Sequence, residues 1–271
     1  MNTPSKKDFI KGIVRASVES FAEGFKGRHE GEIENPNGTL NMKIHNIFIA
    51  KLGPDIQYYS ALVRSLDSSL GNMLEKMAVN IAKGFYEVND RVDGFIHQEQ
   101  VRIIADLLES YKDRGNGNKP KIEDYEKIRL AKTGENHHKI HVSDYYLLDK
   151  ETDTHYLVEL KIGGDLDNKK ARSEKEAIFE QYAILSNSLD ENAKIECKFA
   201  TAYNRFGEGN DWKQERVKQF FSNDELLIGK DFWNFICKDE NGFDMVIEAY
   251  EESAGIIKEA LEEIKKLYLE D

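Results

Sequence analysis

The sequence predicts an α/β fold in which a small mixed β-sheet is flanked by helices, with extra helices at both ends. Apolar residues recur at helical spacing through most of the first 115 residues. The period then changes to two in residues 140–149 and 155–162, which flank the polar segment KETDT. A helical stretch, a third strand-like run and further helices follow.

Local patterns predict each element in turn. An apolar stripe from Phe9 to Phe21 predicts the first helix, and the glycine-rich polar stretch after it predicts a break. Two further helices are expected at about 55–85, another at 97–112, and a loop at 111–127. The KETDT turn predicts a hairpin. After it we expect a helix at 169–189, a strand at 193–203, and helices at 211–221, 230–238 and 243–269.

A chain of 271 residues can form one elaborated domain, or one catalytic domain with a smaller helical addition. We expect a single domain with an N-terminal helical region (1–66), a core (67–205) and a C-terminal helical region (206–271). Cys197 and Cys237 lie far apart, which suits a reducing cytoplasm and provides no zinc-binding pair. No run of 18 apolar residues predicts a membrane span. The net charge of -12 argues only weakly against a nucleic-acid partner, because cations can be concentrated in one cleft.

The second strand of the hairpin carries a carboxylate and an ammonium on one face, those of Glu159 and Lys161. If the hairpin closes with Lys150 opposite Asp153, Asp144 lies directly across from Glu159. Two adjacent carboxylates in a partly desolvated site repel each other unless a cation intervenes. Mg²⁺ prefers such hard oxygen ligands and keeps waters that can serve phosphodiester hydrolysis. The sequence therefore predicts a metal-dependent site on this hairpin.

A second acid-any-lysine pattern, Glu196 and Lys198, also lies in a strand-like run. The acids just upstream of it, in the SLDEN segment, sit in a turn rather than on a paired strand. We therefore favour the Glu159 site. The alternative for Glu159 and Lys161 is an exposed strand edge whose charges simply face water.

Asp144 followed by VELK at 158–161 resembles the signature of the PD-(D/E)XK nucleases, with Ser143 in place of the usual proline. SSLGNMLEKMA, which contains Glu75, is similar to an N-terminal helix of the restriction-endonuclease branch, and EQYAIL, which contains Gln181, to its post-motif helix. The order of elements over residues 67–203 fits the α-β-β-β-α-β core of that superfamily. DELLIGKDFWNFI further resembles type II enzymes of the TdeIII and MjaII kind, which recognise GGNCC.

This resemblance implies a restriction-endonuclease-like core and a set of roles. Asp144 and Glu159 would ligate Mg²⁺ together with the Leu160 carbonyl, and Lys161 would act on the nucleophilic water. Glu75 would reach the metal directly or through water. The alternatives are that Glu75 is a surface residue paired with a lysine, and that Gln181 caps its neighbours' backbone without touching DNA.

The segment after the third strand offers side chains that can bond base edges in the major groove of double-stranded DNA. They are Asn204, Arg205, Lys213, Gln214 and Arg216. Each of them can instead contact only phosphate or stay on an exposed helix.

Together these features predict a cytoplasmic, Mg²⁺-dependent type II restriction endonuclease that cuts double-stranded DNA at a short palindromic site. A palindrome implies a homodimer, with the 206–271 region serving DNA recognition and dimerisation. Two alternatives remain: a structure-specific or repair nuclease of the same superfamily, and a non-catalytic DNA-binding or scaffolding protein.

Overall fold

A computed structural model describes residues 5–32, 35, 37–38, 45–112 and 118–269, except for the side chains of residues 143 and 144. The helices of this part are α1 (Lys6–Glu32), α2 (Ile47–Ala50), α3 (Pro54–Ala82), α4 (Gln98–Ser110), α5 (Glu123–Leu130), α6 (Asn168–Ser188), α7 (Glu215–Lys218), α8 (Lys230–Cys237) and α9 (Gly242–Leu269). The strands are β1 (Glu87–His97), β2 (Asn136–Asp149), β3 (Thr154–Leu160), β4 (Lys194–Thr201) and β5 (Leu226–Ile228). The chain divides into two compact units, residues 1–80 with 244–271, and residues 81–243.

The first unit is helical and is built from α1, α3 and α9. Val18 of α1, Met73 of α3 and Ile257 of α9 meet in one apolar cluster. Phe25, Tyr58 and Ile264 form a second one. The apolar side of α9 is therefore buried within the unit.

The second unit contains a mixed sheet with the strand order β1-β2-β3-β4-β5. The β1–β2 and β2–β3 pairs are antiparallel, and the β3–β4 and β4–β5 pairs are parallel. Helix α6 packs on one face of the sheet, where Leu157, Phe179 and Phe199 share a core. The predicted α/β class with a mixed sheet and helical flanks is confirmed.

The hairpin has the register that its turn predicts. Tyr145 pairs with Val158 and each following position pairs in step, down to Asp149 with Thr154. Asp153 adopts the left-handed backbone conformation in the turn, with φ of 50°. Aspartate tolerates this conformation better than most residues.

Periodicity did not predict strand β1, since residues 87–97 lie in the part of the chain with helical periodicity; only the α-β-β-β-α-β order of the resemblance has a strand before the hairpin. The strand has a glycine in its interior, and this residue has a packing reason. A Cβ at Gly94 would lie 2.8 Å from Ser188 Oγ and 2.9 Å from Ile184 Cγ2. The missing side chain thus lets α6 lie close against the sheet.

Four other expectations were wrong in detail. The first helix does not stop near Phe21 but continues through Gly27 and Gly31 to Glu32. Residues 55–85 form one helix rather than two, because α3 continues through Gly71. Helix α5 begins inside the stretch expected to be a loop, and α7 is far shorter than the expected 211–221. In each case packing on neighbouring elements decides the outcome over local propensity.

No helix in the described ranges is both long enough and apolar enough to cross a membrane.

Candidate active site

Strand β3 ends at the predicted acidic-basic pair. Glu159 is only 8% exposed and pairs with Phe199 of β4. Lys161 follows the last strand residue, and its backbone N–H donates to the Ala200 carbonyl at 3.0 Å. This bond continues the alignment with β4 past the strand end. The Lys161 ammonium makes an ion pair with the Glu159 carboxylate.

A third member of this cluster, Glu174, was not predicted. It lies on α6, and its Oε1 is 3.5 Å from Lys161 Nζ. The sequence carries one signal that points to it: Glu174 lies seven residues before Gln181, so the two share a helix face. Lys161 therefore lies between a carboxylate of the strand and one of the helix that covers it.

Gln181 and Glu180 lie farther along the same helix. Gln181 is 3% exposed, and its Oε1 has no hydrogen-bond partner among the described residues. Glu180 lies within 2.9 Å of His141 Nε2 and 2.6 Å of Lys139 Nζ on β2. Burial raises the pKa of Glu180, but the hydrogen bonds from His141 and Lys139 more than offset this and lower it overall.

Asp144 lies in β2, and its side chain and that of Ser143 are outside the described part of the structure. Asp144 is the residue next to Tyr145, which pairs with Val158 at this end of the hairpin. On the other side of β2, the register with β1 shifts between the Asn89 and Arg91 pairs. This bulge falls on residues 143–145. Bulges are frequent beside active sites because they re-aim side chains.

Glu75 lies on α3 in the helical unit and is partly buried. Asp144, Glu159 and Lys161 belong to the other unit. The participation of Glu75 in the site stays a prediction.

The rival pair is organised differently. Glu196 accepts from Lys194 at 2.8 Å and lies 3.3 Å from Lys198, which also donates to the Asp224 carbonyl. Burial raises the pKa of Glu196, and its two lysine partners lower it overall. Glu196 pairs with Tyr156, so this group lies on the sheet face opposite to that of Glu159.

The five expected DNA readers separate into three groups. Asn204 is buried, and its side chain donates to the Asn210 carbonyl and accepts from Phe206 N–H, so it organises its own loop. Arg205 is 2.7 Å from Asp165, and Gln214 donates to the same carboxylate at 3.4 Å. Lys213 and Arg216 are exposed.

Asp165 thus holds two of the expected readers. The hydrogen bond from Arg205 is the largest cause of the lowered pKa of this carboxylate, and the charge of Arg216 adds to the effect. Asp165 lies in the loop that follows Lys161, where Gly164 has a φ of +62°. This loop therefore joins the candidate active site to the expected DNA-binding surface along the chain.

The donor set at the end of β3 suits a hard divalent cation. A buried carboxylate and a following backbone carbonyl are oxygen ligands of the type that Mg²⁺ takes. Among the described side chains no group of three metal-ligating residues comes together, and Asp144 is not among these side chains. A complete metal site therefore needs a ligand beyond the described set.

Comparison with known proteins gives one family. The model described as "Type II restriction endonuclease, HinfI" matches residues 6–254, which is most of the chain. Neither the curated proteins nor the solved structures gave a significant match.

Proposed function

Because the chain belongs to the HinfI family of type II restriction endonucleases, we propose that it hydrolyses double-stranded DNA at a short palindromic site with Mg²⁺ as cofactor. The family is one of site-specific deoxyribonucleases. The ion pair between the buried Glu159 and the partly exposed Lys161, at the end of the central strand, carries the proposal.

We assign this site to the PD-(D/E)XK type, with Asp144, Glu159 and Lys161 as its signature residues. The hairpin register supports this assignment. The next pair in step after Tyr145 with Val158 would be Asp144 with Glu159, and cross-strand partners share one face.

Type II restriction endonucleases normally use a divalent metal ion. In the proposal Asp144, Glu159 and the Leu160 carbonyl hold Mg²⁺, and Glu75 contributes directly or through water. When bound, such an ion lowers the pKa of its water and offsets the negative charge that develops on the phosphate. Glu159 and Asp144 would fix the position of the ion. The burial of Glu159 shields its carboxylate from bulk water.

Lys161 is the residue that we propose acts on the nucleophilic water. Its ammonium already lies against the Glu159 carboxylate, and Glu174 limits its movement from the other side. A lysine ammonium held between two acids can hydrogen-bond a water or a phosphate oxygen.

DNA contact is proposed for Gln181, Arg205, Lys213, Gln214 and Arg216, whereas Asn204 would first have to release the contacts that organise its own loop. Lys213 and Arg216 are exposed and need no rearrangement to reach a phosphate or a guanine edge. Arg205 and Gln214 must first leave Asp165. The target GGNCC, which the TdeIII and MjaII resemblance implies, is the specific version to test, with a homodimer as the active form. The burial of Cys197 and Cys237 supports a cytoplasmic location.

Cleavage of long phage DNA in the presence of Mg²⁺ tests the proposal, with sequencing of the ends to read the site. Lys161→Ala and Asp144→Ala should abolish cleavage without loss of folding. The matched control is Lys198→Ala in the rival pair, which should still cut. Substantial cleavage by either of the first two variants would remove this mechanism.

The same digest separates the alternatives. Discrete fragments with a common end sequence indicate a site-specific enzyme, whereas a smear indicates a structure-specific or repair nuclease. A scaffolding protein would give no cleavage and no change in melting temperature with Mg²⁺. Family membership favours the first outcome.

A further inference from the structure

The helical unit exposes a contiguous apolar face. Its residues belong to α2, to the link after it and to the first half of α3, and they are between 44% and 80% exposed: Ile47, Phe48, Leu52, Ile56, Tyr59 and Val63. The last four recur at helical spacing, and Gln57 donates to the Ala50 carbonyl, which holds α2 beside α3. We call this surface the α2–α3 face.

This face is not the ordinary outer side of an amphipathic helix. Tyr58 and Ala61, on the other side of the same turns, are already buried in the core of the unit. The first half of α3 is thus apolar on both sides, a pattern typical of a helix that is covered all round. The chain as a whole is 32% charged, yet residues 47–63 include only Lys51 and Asp55 as charged residues.

The size of the face fits a protein interface. With about 200 Å² for a fully exposed large apolar residue, the six residues leave roughly 700 Å² of surface open. Typical monomers keep their largest apolar patch to about 300–600 Å². A standard interface buries about 800 Å² on each partner, so this face approaches what a stable dimer needs.

We propose that the α2–α3 face is the interface with a second copy of this chain, related by a twofold axis. The choice of a second copy rests on the proposed function, because cutting both strands of a palindrome requires two active sites. DNA itself is a poor occupant, since the face carries one lysine and is mostly hydrocarbon. Depletion of charge at its centre is what the core of a protein–protein interface shows.

Helix α9, which the sequence analysis associates with dimerisation, is less suited to self-association. Val246, Ile257 and Ile264 of its apolar stripe are buried within the unit. Its exposed side carries mainly glutamates, among them Glu248 and Glu252, which pair with lysines of α1. That side is charged rather than apolar, unlike the core of a protein–protein interface.

The molar mass of the full-length protein in solution tests the interface. Wild type should have twice the chain mass of 31.2 kDa in sedimentation or light scattering. Phe48→Glu with Val63→Glu should raise the dimer dissociation constant at least 100-fold and give monomers. The control is Leu130→Glu, a residue 72% exposed on α5 in the other unit, which should stay dimeric.

If circular dichroism shows that the glutamate variant is misfolded, a cross-link provides a second test. Tyr59→Cys lies near the middle of the face, and both native cysteines are buried. A short bis-maleimide should therefore join two copies through residue 59. A monomeric wild type would overturn the interface, while DNA cleavage by the same sample would leave the proposed function standing. A dimer that survives the glutamate pair and shows no cross-link would place the interface elsewhere.

Discussion

Replacement of Lys175 by methionine should destabilise the protein strongly. Lys175 lies on α6 and is fully buried, where its ammonium pairs with the equally buried Glu225. It also lies 3.2 Å from the Tyr125 hydroxyl and over the rings of Phe179 and Phe221 at 4.3 and 5.0 Å. Methionine keeps most of the volume and removes only the charge.

The cost follows from the partner that remains. Glu225 keeps bonds from Tyr125 at 2.6 Å and from Ser222, but its charge loses the one cation that pairs with it among the described residues. Breaking a buried ion pair from one side costs about 3–5 kcal/mol, a large share of the roughly 5–15 kcal/mol that stabilises a typical domain. The melting temperature should fall by on the order of 10 °C. Lys175→Met with Glu225→Gln should recover much of this loss, because no unpaired charge is left.

Urea denaturation of wild type, Lys175→Met, Glu225→Gln and the double variant gives the coupling energy directly. We expect the double variant to lose clearly less free energy of unfolding than the two single variants lose together. A loss below about 1 kcal/mol for Lys175→Met, or simple additivity, would show that the pair is not held in a desolvated core. Cleavage measured well below the melting temperature separates lost stability from lost chemistry.

Three further predictions follow from single contacts. Asp165→Asn should release Arg205, so DNA affinity in fluorescence anisotropy should rise several-fold; unchanged or weaker binding would contradict the competition between carboxylate and phosphate. Burial lowers the pKa of His29, so the unfolded chain takes up the proton first, and stability should be full above about pH 6.5 and decrease as pH falls below it. Denaturation at pH 7.5 and 5.5 should show this decrease, and His29→Gln should reduce it. In urea denaturation, Gly164→Ala should lower the free energy of unfolding more than Gly209→Ala does. Both glycines have positive φ, but only a Cβ at position 164 would lie within 3 Å of neighbouring side chains. Equal losses would mean that the loop adjusts freely.

The hairpin was predictable because its turn and its alternation are local. KETDT fixes the loop length, and the loop length fixes the register of every pair that follows. Tyr145 pairs with Val158 for that reason alone. The placement of Glu159 and Lys161 at the end of a central strand needed no long-range information.

Strand β1 shows where local reasoning fails. Asp90, Asp93 and Gly94 interrupt its alternation, and each of these residue types is depleted in strands. The strand exists because β2 pairs with it and α6 lies against Gly94. Both partners are distant in sequence, so no window around residues 87–97 contains the cause.

Charged residues that meet across long separations were equally hidden. The sequence alone indicates an ordinary helix lysine at Lys175 and an acid in a turn at Glu225. Their burial depends on aromatic residues from α5, α6 and the segment after α7. Glu174 was missed for the same reason, because only the packing of α6 on the sheet brings it to Lys161.

The core pair and the candidate active site are coupled through helix α6. Successive residues on a helix point about 100° apart, so Lys175 enters the core while Glu174 faces Lys161. The ion pair of Lys175 with Glu225 therefore fixes the position of Glu174 along the helix axis and its rotation about that axis. Glu174 is one of the two carboxylates that hold the Lys161 ammonium. A folded Glu225 variant with reduced cleavage would act by displacing Lys161, since Glu225 itself is buried.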